Sequence, residues 1–431
     1  MEKVDLVVKG AKQLLTLSKF GGAWRSERHA PTGPRKGREM SDLGIIENGA
    51  VAVRDGKIVY VGATGRSPFP KGKIEINASG KVVLPGFVDS HTHLIFAGSR
   101  EEEFEMRLLG KSYQEIARRG GGILSTVRAV RRASPKTLLQ LATERLDQML
   151  KWGTTTVEVK SGYGLTTKDE IKILEVIQEL DKKHPIDLVP TFLGAHEIPK
   201  EYRGKREGYI RLLEKEMIPE ISMRNLAEYC DDFCEKGVFN PDESRRILKK
   251  GKEYGLLPKI HADEFTSSGG AELAGEVGAI SADHLTYPSK KGLDALRRNG
   301  TIAVLLPGTS LFLSVGAGFK PAPTPPARKM IEMGIPVALA TDFNPGSSPI
   351  LSMPLILGLG CILLGMTPAE VIIAGTINGA YAVGKGEEVG SLEVGKKADL
   401  LILKNSDYRQ LPYWFGQNPV ECVVKKGKVV A

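Results

Sequence analysis

The chain has 431 residues, of which 41% are hydrophobic and 26% charged, and its formal net charge is +9. This length allows two or three domains, or one large α/β barrel with an appendage. Lysine and arginine are spread along the chain and interleaved with glutamate, which argues against a nucleic-acid partner and leaves a small anionic substrate possible.

The N-terminal stretch lacks the apolar core of a secretory signal. The most apolar segment, PLILGLGCILLGMTP, contains glycines and is shorter than the roughly 20 residues of a membrane span, so it predicts a buried helix. Four cysteines do not make a disulfide framework. We therefore expect a cytoplasmic protein with no membrane partner.

Both chain ends predict short strands rich in valine and isoleucine. Within residues 1–81, Asp55 and Gly56 form a type I′ hairpin signal, and the polar segment 18–42, which contains His29, predicts a long loop. Residues 385–431 have the same strand-like character. We predict that 1–81 and 385–431 together build one small β domain.

Residues 82–384 predict eight short apolar strands that alternate with amphipathic helices. One helix begins with Asn240 as N-cap and Pro241 at its first position. This alternation is typical of an α/β fold, the parallel (β/α)8 TIM barrel, whose active site lies at the C-terminal strand ends. The predicted strand runs are KVVLPGFVDS, TTTVEV, DLVPTFLGA, YCDDFCE, LPKIHADE, GAISADHL, TIAVLLPG and PVALATD.

Five of the seven histidines lie at these predicted strand ends. His91 and His93 end the first run, and because side chains alternate along a strand, both point the same way. His261 ends the fifth run and Asp342 the eighth. Three histidines and one aspartate predict a site for one divalent or trivalent metal ion, zinc or iron, with room for a water.

Two further residues fit hydrolytic chemistry. Glu264, three residues past His261, can reach a water at the metal without binding the ion, and can pass its proton to a leaving nitrogen. His284, at the end of the sixth run, can hydrogen-bond that water or a developing oxyanion. We predict Glu264 and His284 as the catalytic residues.

The stretch PGFVDSHTHL, the His-x-x-Glu of HADE, a lone later histidine and a final ATD resemble the amidohydrolase superfamily. The flanks GAVAVRDGKIVYVG and GSLEVGKKADLLIL resemble the β-sandwich of that superfamily. Longer stretches are similar to the imidazolonepropionase family, and this resemblance covers essentially the whole chain. These stretches are HTHLIFAGSREEEFEMRLLGKSYQEIARRGGGILSTV, VEVKSGYGL, TFLGAHEIP, HADEF and ATDFNPGSS.

The resemblance implies a TIM barrel with a small β-sandwich domain, and hydrolysis of 4-imidazolone-5-propanoate to N-formimidoyl-L-glutamate. It also implies a homodimer with one metal ion per subunit. The substrate-binding residues that it implies are Arg100, Tyr113, Tyr163, His196, Glu264, Asn344, Gly346 and Ser347.

Elementary chemistry supports several of these roles. The substrate carries a propanoate, and the guanidinium of Arg100 can bind a carboxylate through two hydrogen bonds. The hydroxyl of Tyr163 can bond an acid or a ring nitrogen. The turn NPGSS, after Asp342, is expected to be flexible and to expose backbone N–H groups.

Alternatives remain at this point. Two-metal cyclic amidases use a carboxylated lysine at the fourth strand, and Lys236 lies just past that run, although Glu264 favours one metal. Cytosine or guanine deaminases share the one-metal ligands but have no need for Arg100. A barrel that binds its metal structurally would be closed by four protein ligands and would have no base beside it.

Overall fold

The computed structural model describes residues 3–18, 33–65, 69–111, 115–116, 120–314 and 323–431. Within these residues the strands form a four-stranded, an eight-stranded and a six-stranded sheet. Two of the predicted site and loop residues, His29 and Tyr113, lie outside the described residues.

The strands divide into three groups along the chain. The first group precedes the barrel and comprises β1 (Val4–Ala11), β2 (Gln13–Leu15), β3 (Ile45–Ile46), β4 (Gly49–Arg54), β5 (Lys57–Ala63), β6 (Gly72–Asn77) and β7 (Val82–Pro85). The barrel strands are β8 (Phe87–Asp89), β9 (Thr154–Lys160), β10 (Asp187–Ala195), β11 (Tyr229–Cys234), β12 (Leu257–Ala262), β13 (Ser281–His284), β14 (Ile302–Leu305) and β15 (Val337–Leu339). The last group is β16 (Leu400–Leu403), β17 (Val420–Lys425) and β18 (Lys428–Val429).

The eight-stranded sheet is parallel and runs from β8 to β15 in chain order. Its two outer strands meet just beyond their ends: Asp342 N donates to His91 O at 3.0 Å, and His93 N donates to Phe343 O at 2.9 Å. These bonds close the sheet into a barrel. The predicted TIM-barrel fold is therefore confirmed.

Helices connect the strands and cover the barrel. The α-helices span Glu101–Leu108, Ile123–Arg132, Pro135–Lys151, Thr167–Lys183, Arg206–Leu212, Ile218–Met223, Pro241–Glu253, Gly270–Val277, Lys290–Asn299, Pro307–Leu313, Ala327–Glu332, Met353–Leu364, Pro368–Ala374, Ile377–Ala382 and Gln410–Tyr413. Short 3-10 helices span Gly37–Ser41 and Lys200–Tyr202, and a π-helical turn spans Leu213–Met217.

Two helix predictions are confirmed. Asn240 caps its helix by accepting from the backbone N–H groups of Asp242 and Glu243, with Pro241 at the first position. The apolar segment forms the largely buried helix Met353–Leu364. Among the helices that the structure describes, none is both long and apolar enough to cross a membrane.

The chain ends form the two small sheets, in the orders β5-β4-β1-β6 and β18-β17-β16-β7-β2-β3. Asp55 and Gly56 take the positive φ angles of 51° and 73° that the predicted type I′ turn requires. The second sheet brings strands from both ends together, since β16 pairs with β7, which pairs with β2. The small β domain is thus built from both ends of the chain.

The first predicted barrel run differs from the structure, because KVVLPGFVDS contains two strands. Val82–Pro85 belongs to the small domain, and only Phe87–Asp89 belongs to the barrel. The break falls at Gly86, where a Cβ atom would overlap the side chain of Thr155. The apolar pattern of the run does not reveal this change of sheet.

The inside of the barrel changes character along its axis. Near the N-terminal ends of the strands it is filled by an apolar cluster that includes Val88, Val189 and Tyr229, sealed by Ala380 and Val383. Toward the C-terminal ends the inward side chains become charged or are imidazoles. The apolar part supports the barrel, and the polar part forms the candidate site.

Candidate active site

Three imidazoles and one carboxylate converge at the C-terminal end of the barrel. His91 and His93 follow β8, His261 lies in β12 and Asp342 follows β15. All four are at most 3% exposed. Nε2 of His93 lies 3.4 Å from Nε2 of His261, and Asp342 Oδ1 lies 3.4 Å from Nε2 of His91 and 3.5 Å from Nε2 of His93.

This spacing fits a metal ion. In a tetrahedral site with metal–nitrogen bonds of about 2.05 Å, neighbouring ligand atoms are about 3.3 Å apart. The Nε2 atom of His91 is buried and has no hydrogen-bond partner among the described residues, so it is available as a ligand. Burial lowers the pKa of His91 and of His93, which keeps both neutral as metal ligands must be.

Two of the predicted metal ligands contact buried carboxylates through Nδ1, the nitrogen that faces away from the cluster. His91 Nδ1 lies 2.6 Å from Asp283 Oδ2, and His261 Nδ1 lies 3.2 Å from Asp231 Oδ2. Both carboxylates are fully buried. The hydrogen bond to Asp283 sets the tautomer of His91 and directs its Nε2 atom toward a metal, and the carboxylate of Asp231 lies beside Nδ1 of His261. The four predicted metal ligands are therefore brought together with the support that a metal site needs.

The two predicted catalytic residues lie beside this cluster. Glu264 Oε1 is 3.7 Å from His284 Nδ1, and the Glu264 side chain is 10% exposed. Burial, together with the negative charges of Asp342 and Glu235, raises the pKa of Glu264 well above its ordinary value. A carboxylate with raised proton affinity suits a residue that must accept a proton and return it. Burial lowers the pKa of His284.

The backbone is strained at the same place. His284, Leu285 and Asp342 have φ angles of 74°, 55° and 51°, in the left-handed region that residues other than glycine rarely adopt. Such conformations cost about 1–3 kcal/mol each and concentrate at functional sites. Here they turn the side chains of His284 and Asp342 at the strand ends toward the pocket.

Arg100 lines the same pocket as the histidine cluster. Its Nε and one terminal nitrogen donate to Glu103 Oε2 at 3.0 and 2.7 Å. Glu103 Oε1 in turn accepts from the backbone N–H of Gly122 at 3.0 Å. A Cβ atom at Gly346 would overlap the guanidinium, so glycine is needed there for Arg100 to pack closely.

Tyr163 and His196 form an aromatic wall next to the cluster. The His196 ring stacks on His93 with centroids 5.0 Å apart, and Tyr163 lies 5.8 Å from His93. His196 Nδ1 is 2.9 Å from the carbonyl oxygen of Gly162, so a proton on Nδ1 leaves Nε2 free to accept. Burial raises the pKa of Tyr163 and lowers that of His196 to about 3, which keeps both neutral.

The turn after Asp342 lines the pocket but differs from the sequence interpretation. Its backbone N–H groups are not free: those of Gly346 and Ser347 both donate to Asn344 Oδ1 at 2.8 Å. Asn344 Nδ2 donates to Asp342 O at 2.7 Å. The asparagine side chain thus holds the turn together internally, which a residue-by-residue reading of NPGSS does not reveal.

At three further residues the structure differs from the site predicted from the sequence. Lys236 is exposed and does not line the pocket, so the structure does not bring it to the metal cluster. Sequence reasoning missed Arg107, which lines the pocket and donates to Gly346 O at 2.8 Å. It also missed the fully buried Lys160 behind the cluster. The available signal for Lys160 was a charged residue inside a predicted buried strand.

Comparison with known proteins agrees with this architecture. The model of the amidohydrolase family matches residues 82–430. An imidazolonepropionase from Geobacillus sp. (strain WCH70) is 50% identical over 430 residues, covering 99% of this chain and 97% of the relative. One from Geobacillus kaustophilus (strain HTA426) is 51% identical, also over 430 residues, with coverage of 99% and 97%.

A solved structure shows the same fold at low sequence identity. An adenosine deaminase from Xanthomonas campestris with bound zinc has a TM-score of 0.70 and 20% identity, covering 99% of this chain and 93% of that one. The chain belongs to the amidohydrolase family, as its barrel and histidine cluster indicate, and within that family it groups with the imidazolonepropionases. The resemblance seen in the sequence is confirmed.

Proposed function

We propose that the chain hydrolyses 4-imidazolone-5-propanoate to N-formimidoyl-L-glutamate, a step of histidine degradation. The relatives at about half identity over nearly the whole chain carry the name of this activity. The observation that carries the proposal is that one pocket is lined by three of the predicted metal ligands, His93, His261 and Asp342, and also by Glu264 and Arg100. A hydrolytic centre and a carboxylate anchor in one pocket suit a cyclic amide with an acidic side chain.

In this proposal His91, His93, His261 and Asp342 hold one zinc or iron ion. When bound, the ion supplies Lewis-acid chemistry that polarises a carbonyl and makes water more acidic. Three imidazoles and one carboxylate are a donor set that both metals accept. The Oδ2 atom of Asp342 accepts a hydrogen bond from Thr309 Oγ1 at 2.6 Å, which leaves Oδ1 for the ion.

Glu264 acts as general base and then as general acid. It takes a proton from the attacking water as the new C–O bond forms at the ring carbonyl carbon. It gives the proton to the ring nitrogen as the C–N bond breaks, so that the carboxylate and the formimidoyl group appear together. His284, 3.7 Å from Glu264, hydrogen-bonds the oxygen on which negative charge develops.

Arg100 binds the propanoate, while Tyr163 and His196 contact the ring. The guanidinium pairs with the carboxylate of Glu103 at 2.7 Å, and its further N–H groups can bind a second carboxylate. Tyr113, Asn344, Gly346 and Ser347 complete the substrate contacts implied by the family resemblance. We further propose a cytoplasmic homodimer, which sedimentation of the purified protein would test.

The test is to supply freshly prepared 4-imidazolone-5-propanoate and follow the loss of its ultraviolet absorbance, with metal analysis on the same sample. We expect turnover with a metal-to-protein ratio near one. Turnover of a hydantoin with a ratio near two would favour a two-metal cyclic amidase, and release of ammonia from a nucleobase would favour a deaminase. Either result without turnover of the imidazolone would refute the proposal.

A further inference from the structure

Behind the histidine cluster lies a lysine that the mechanism above does not use. Lys160 ends β9 and is fully buried inside the barrel. Its Nζ atom lies 2.7 Å from Glu158 Oε1, 2.7 Å from Asp231 Oδ2 and 3.7 Å from Asp283 Oδ2. One ammonium group therefore faces three buried carboxylates, and Glu158, Lys160, Asp231 and Asp283 are called the lysine cluster below.

Two carboxylates of the lysine cluster also contact predicted metal ligands. Asp283 uses the same Oδ2 atom toward Lys160 and toward His91 Nδ1, which lies 2.6 Å away. Asp231 likewise uses Oδ2 toward Lys160 and toward His261 Nδ1 at 3.2 Å. Each path thus runs from ammonium to carboxylate oxygen to imidazole, and ends at an Nε2 atom of the metal cluster.

The strand register explains why these groups meet. His261 pairs with Phe233 on one side and with Asp283 on the other. Because side chains alternate along a strand, Glu158 and Lys160 face the same side of β9, and Asp231 and Phe233 the same side of β11. The inner face of the barrel therefore stacks the lysine cluster directly beneath the imidazoles.

The charges of this arrangement depend on the lysine. Three carboxylates without a cation would repel one another strongly in a dry interior. Burial alone would lower the pKa of Lys160, but the surrounding carboxylates outweigh burial and raise it, so the group stays an ammonium. With it in place, Asp231 and Asp283 remain where each can accept an imidazole N–H.

A second buried lysine provides a comparison. Lys259, on β12, is also fully buried. Its Nζ atom donates to Ser281 Oγ at 2.8 Å and to the carbonyl oxygen of Ala382 at 3.1 Å, and it lies 4.0 Å from Asp283. Its hydrogen-bond partners are neutral, and Ser281 Oγ in turn donates to Asp283 Oδ1 at 2.6 Å. Lys259 thus reaches the lysine cluster through one hydroxyl, whereas Lys160 bonds a carboxylate of the cluster directly.

We propose that Lys160 is a positioning residue for the metal: it holds Asp231 and Asp283 so that His91 and His261 present Nε2 to one ion. This inference rests on the metal site of the proposed function, and not on the identity of the substrate. Changes to such supporting groups typically weaken metal binding by about 10–100-fold. Lys259 reaches Asp283 through Ser281 and forms no direct hydrogen bond to either carboxylate among the described residues, so we expect it to contribute less.

The experiment compares Lys160→Met with Lys259→Met in the full-length protein. Both variants remove a fully buried ammonium from the inner face of the barrel. Zinc affinity is measured by competition with a chromogenic chelator on metal-free protein, and the visible absorption spectrum is recorded after loading with cobalt(II). Circular dichroism establishes that each variant is folded.

We expect Lys160→Met to bind zinc at least ten-fold more weakly than the unchanged protein and to show an altered cobalt spectrum. We expect Lys259→Met to bind zinc within about three-fold of the unchanged protein, even where it is less stable. Folded Lys160→Met with unchanged zinc affinity and an unchanged cobalt spectrum would overturn the proposal. So would equal weakening in both variants, because that result would indicate a general loss of packing.

A further pair of variants covers the case in which Lys160→Met does not fold. Asp231→Asn and Asp283→Asn keep the shape of the acceptors but remove their charge, and each should weaken zinc binding at least ten-fold. Unchanged affinity in both would overturn the proposal. None of these measurements uses the imidazolone substrate, so tight zinc binding without turnover would refute the proposed function alone.

Discussion

The two ends of the barrel both contain clustered charges, but the clusters have different roles. At the N-terminal end, Asp187 opens β10 and is surrounded by Lys397, Lys425 and Lys426, whose Nζ atoms lie 3.1, 2.9 and 2.6 Å from its carboxylate oxygens. These lysines come from the C-terminal segment, so the ion cluster joins the barrel to the small domain.

At the C-terminal end the polar groups are left partly unsatisfied. The Nε2 atom of His91 and the Nδ1 atom of His93 are buried and have no hydrogen-bond partner among the described residues. Buried polar groups are nearly always paired in proteins, so unpaired ones need an explanation. The comparison teaches that paired charges join the barrel to the small domain at one end, whereas at the other end an imidazole nitrogen of His91 is left available to a ligand.

The largest effect on activity is expected at the C-terminal end of the barrel, where Glu264 lies. Glu264→Gln removes the proton acceptor but keeps the shape of the side chain, and kcat should fall by about 10²–10⁴-fold. Thermal stability and metal content should stay unchanged, because Glu264 is not a predicted ligand. The exposed Glu253→Gln serves as control. Turnover by Glu264→Gln within two-fold of the unchanged protein would contradict the proposed mechanism.

A smaller effect is expected at the carboxylate anchor. Arg100→Met removes a charge-assisted pair worth about 1.5–3 kcal/mol, so KM for the imidazolone propanoate should rise by about 10–150-fold. Steady-state kinetics separate this from a change in kcat. Arg211→Met, at a side chain 72% exposed, is the control and should leave KM unchanged. An unchanged KM in Arg100→Met would place the propanoate elsewhere.

The smallest effect is expected at the N-terminal end of the barrel, in the ion cluster around Asp187. Burial acts to raise the pKa of Asp187, but Lys425, Lys426 and Lys397 outweigh it and lower the pKa to about 2. A lowered carboxyl pKa stabilises the fold above the unfolded-state value of about 4. That contribution, about 2 kcal/mol, is lost as the pH falls toward 2. Asp187→Asn should therefore lower the unfolding free energy at pH 7 by this amount and leave kcat unchanged.

Denaturant titrations at pH 7 and in acid measure this effect, and Asp407→Asn is a matched control. The pKa of Asp407 is also lowered to about 2, through a hydrogen bond from Arg409. Because these two residues are neighbours in sequence, their pairing persists in part in the unfolded chain and should contribute less to stability. A larger loss of stability in Asp407→Asn than in Asp187→Asn would contradict the structural role given to the ion cluster around Asp187.

Much of the candidate site could be predicted because its residues follow a local rule. His91, His93, His261, His284 and Asp342 each stand where an apolar strand ends, and parallel strands in a barrel bring those ends together. The spacing between His261 and Glu264 also follows from the sequence alone. Their convergence could therefore be expected before any distance was known.

The remaining features depend on contacts between strands that are distant in sequence. Nothing near Lys160 in the chain identifies Asp231 and Asp283 as its partners, since they lie on β11 and β13. The ion pair of Arg100 with Glu103 and the packing of Arg100 against Gly346 are likewise invisible in the motif. The change of sheet at Gly86 follows from strand pairing rather than from apolar pattern.

The sequence by itself determined the order of strands and helices, the glycine-dependent turn at Asp55 and Gly56, and the placing of the candidate metal ligands at strand ends. These properties are local, because they depend on side-chain periodicity, backbone preference and ligand chemistry. The tertiary structure decided which charges are paired and which stay open to a ligand. Burial and distance set that outcome, and both arise only when the barrel closes and removes its interior from water.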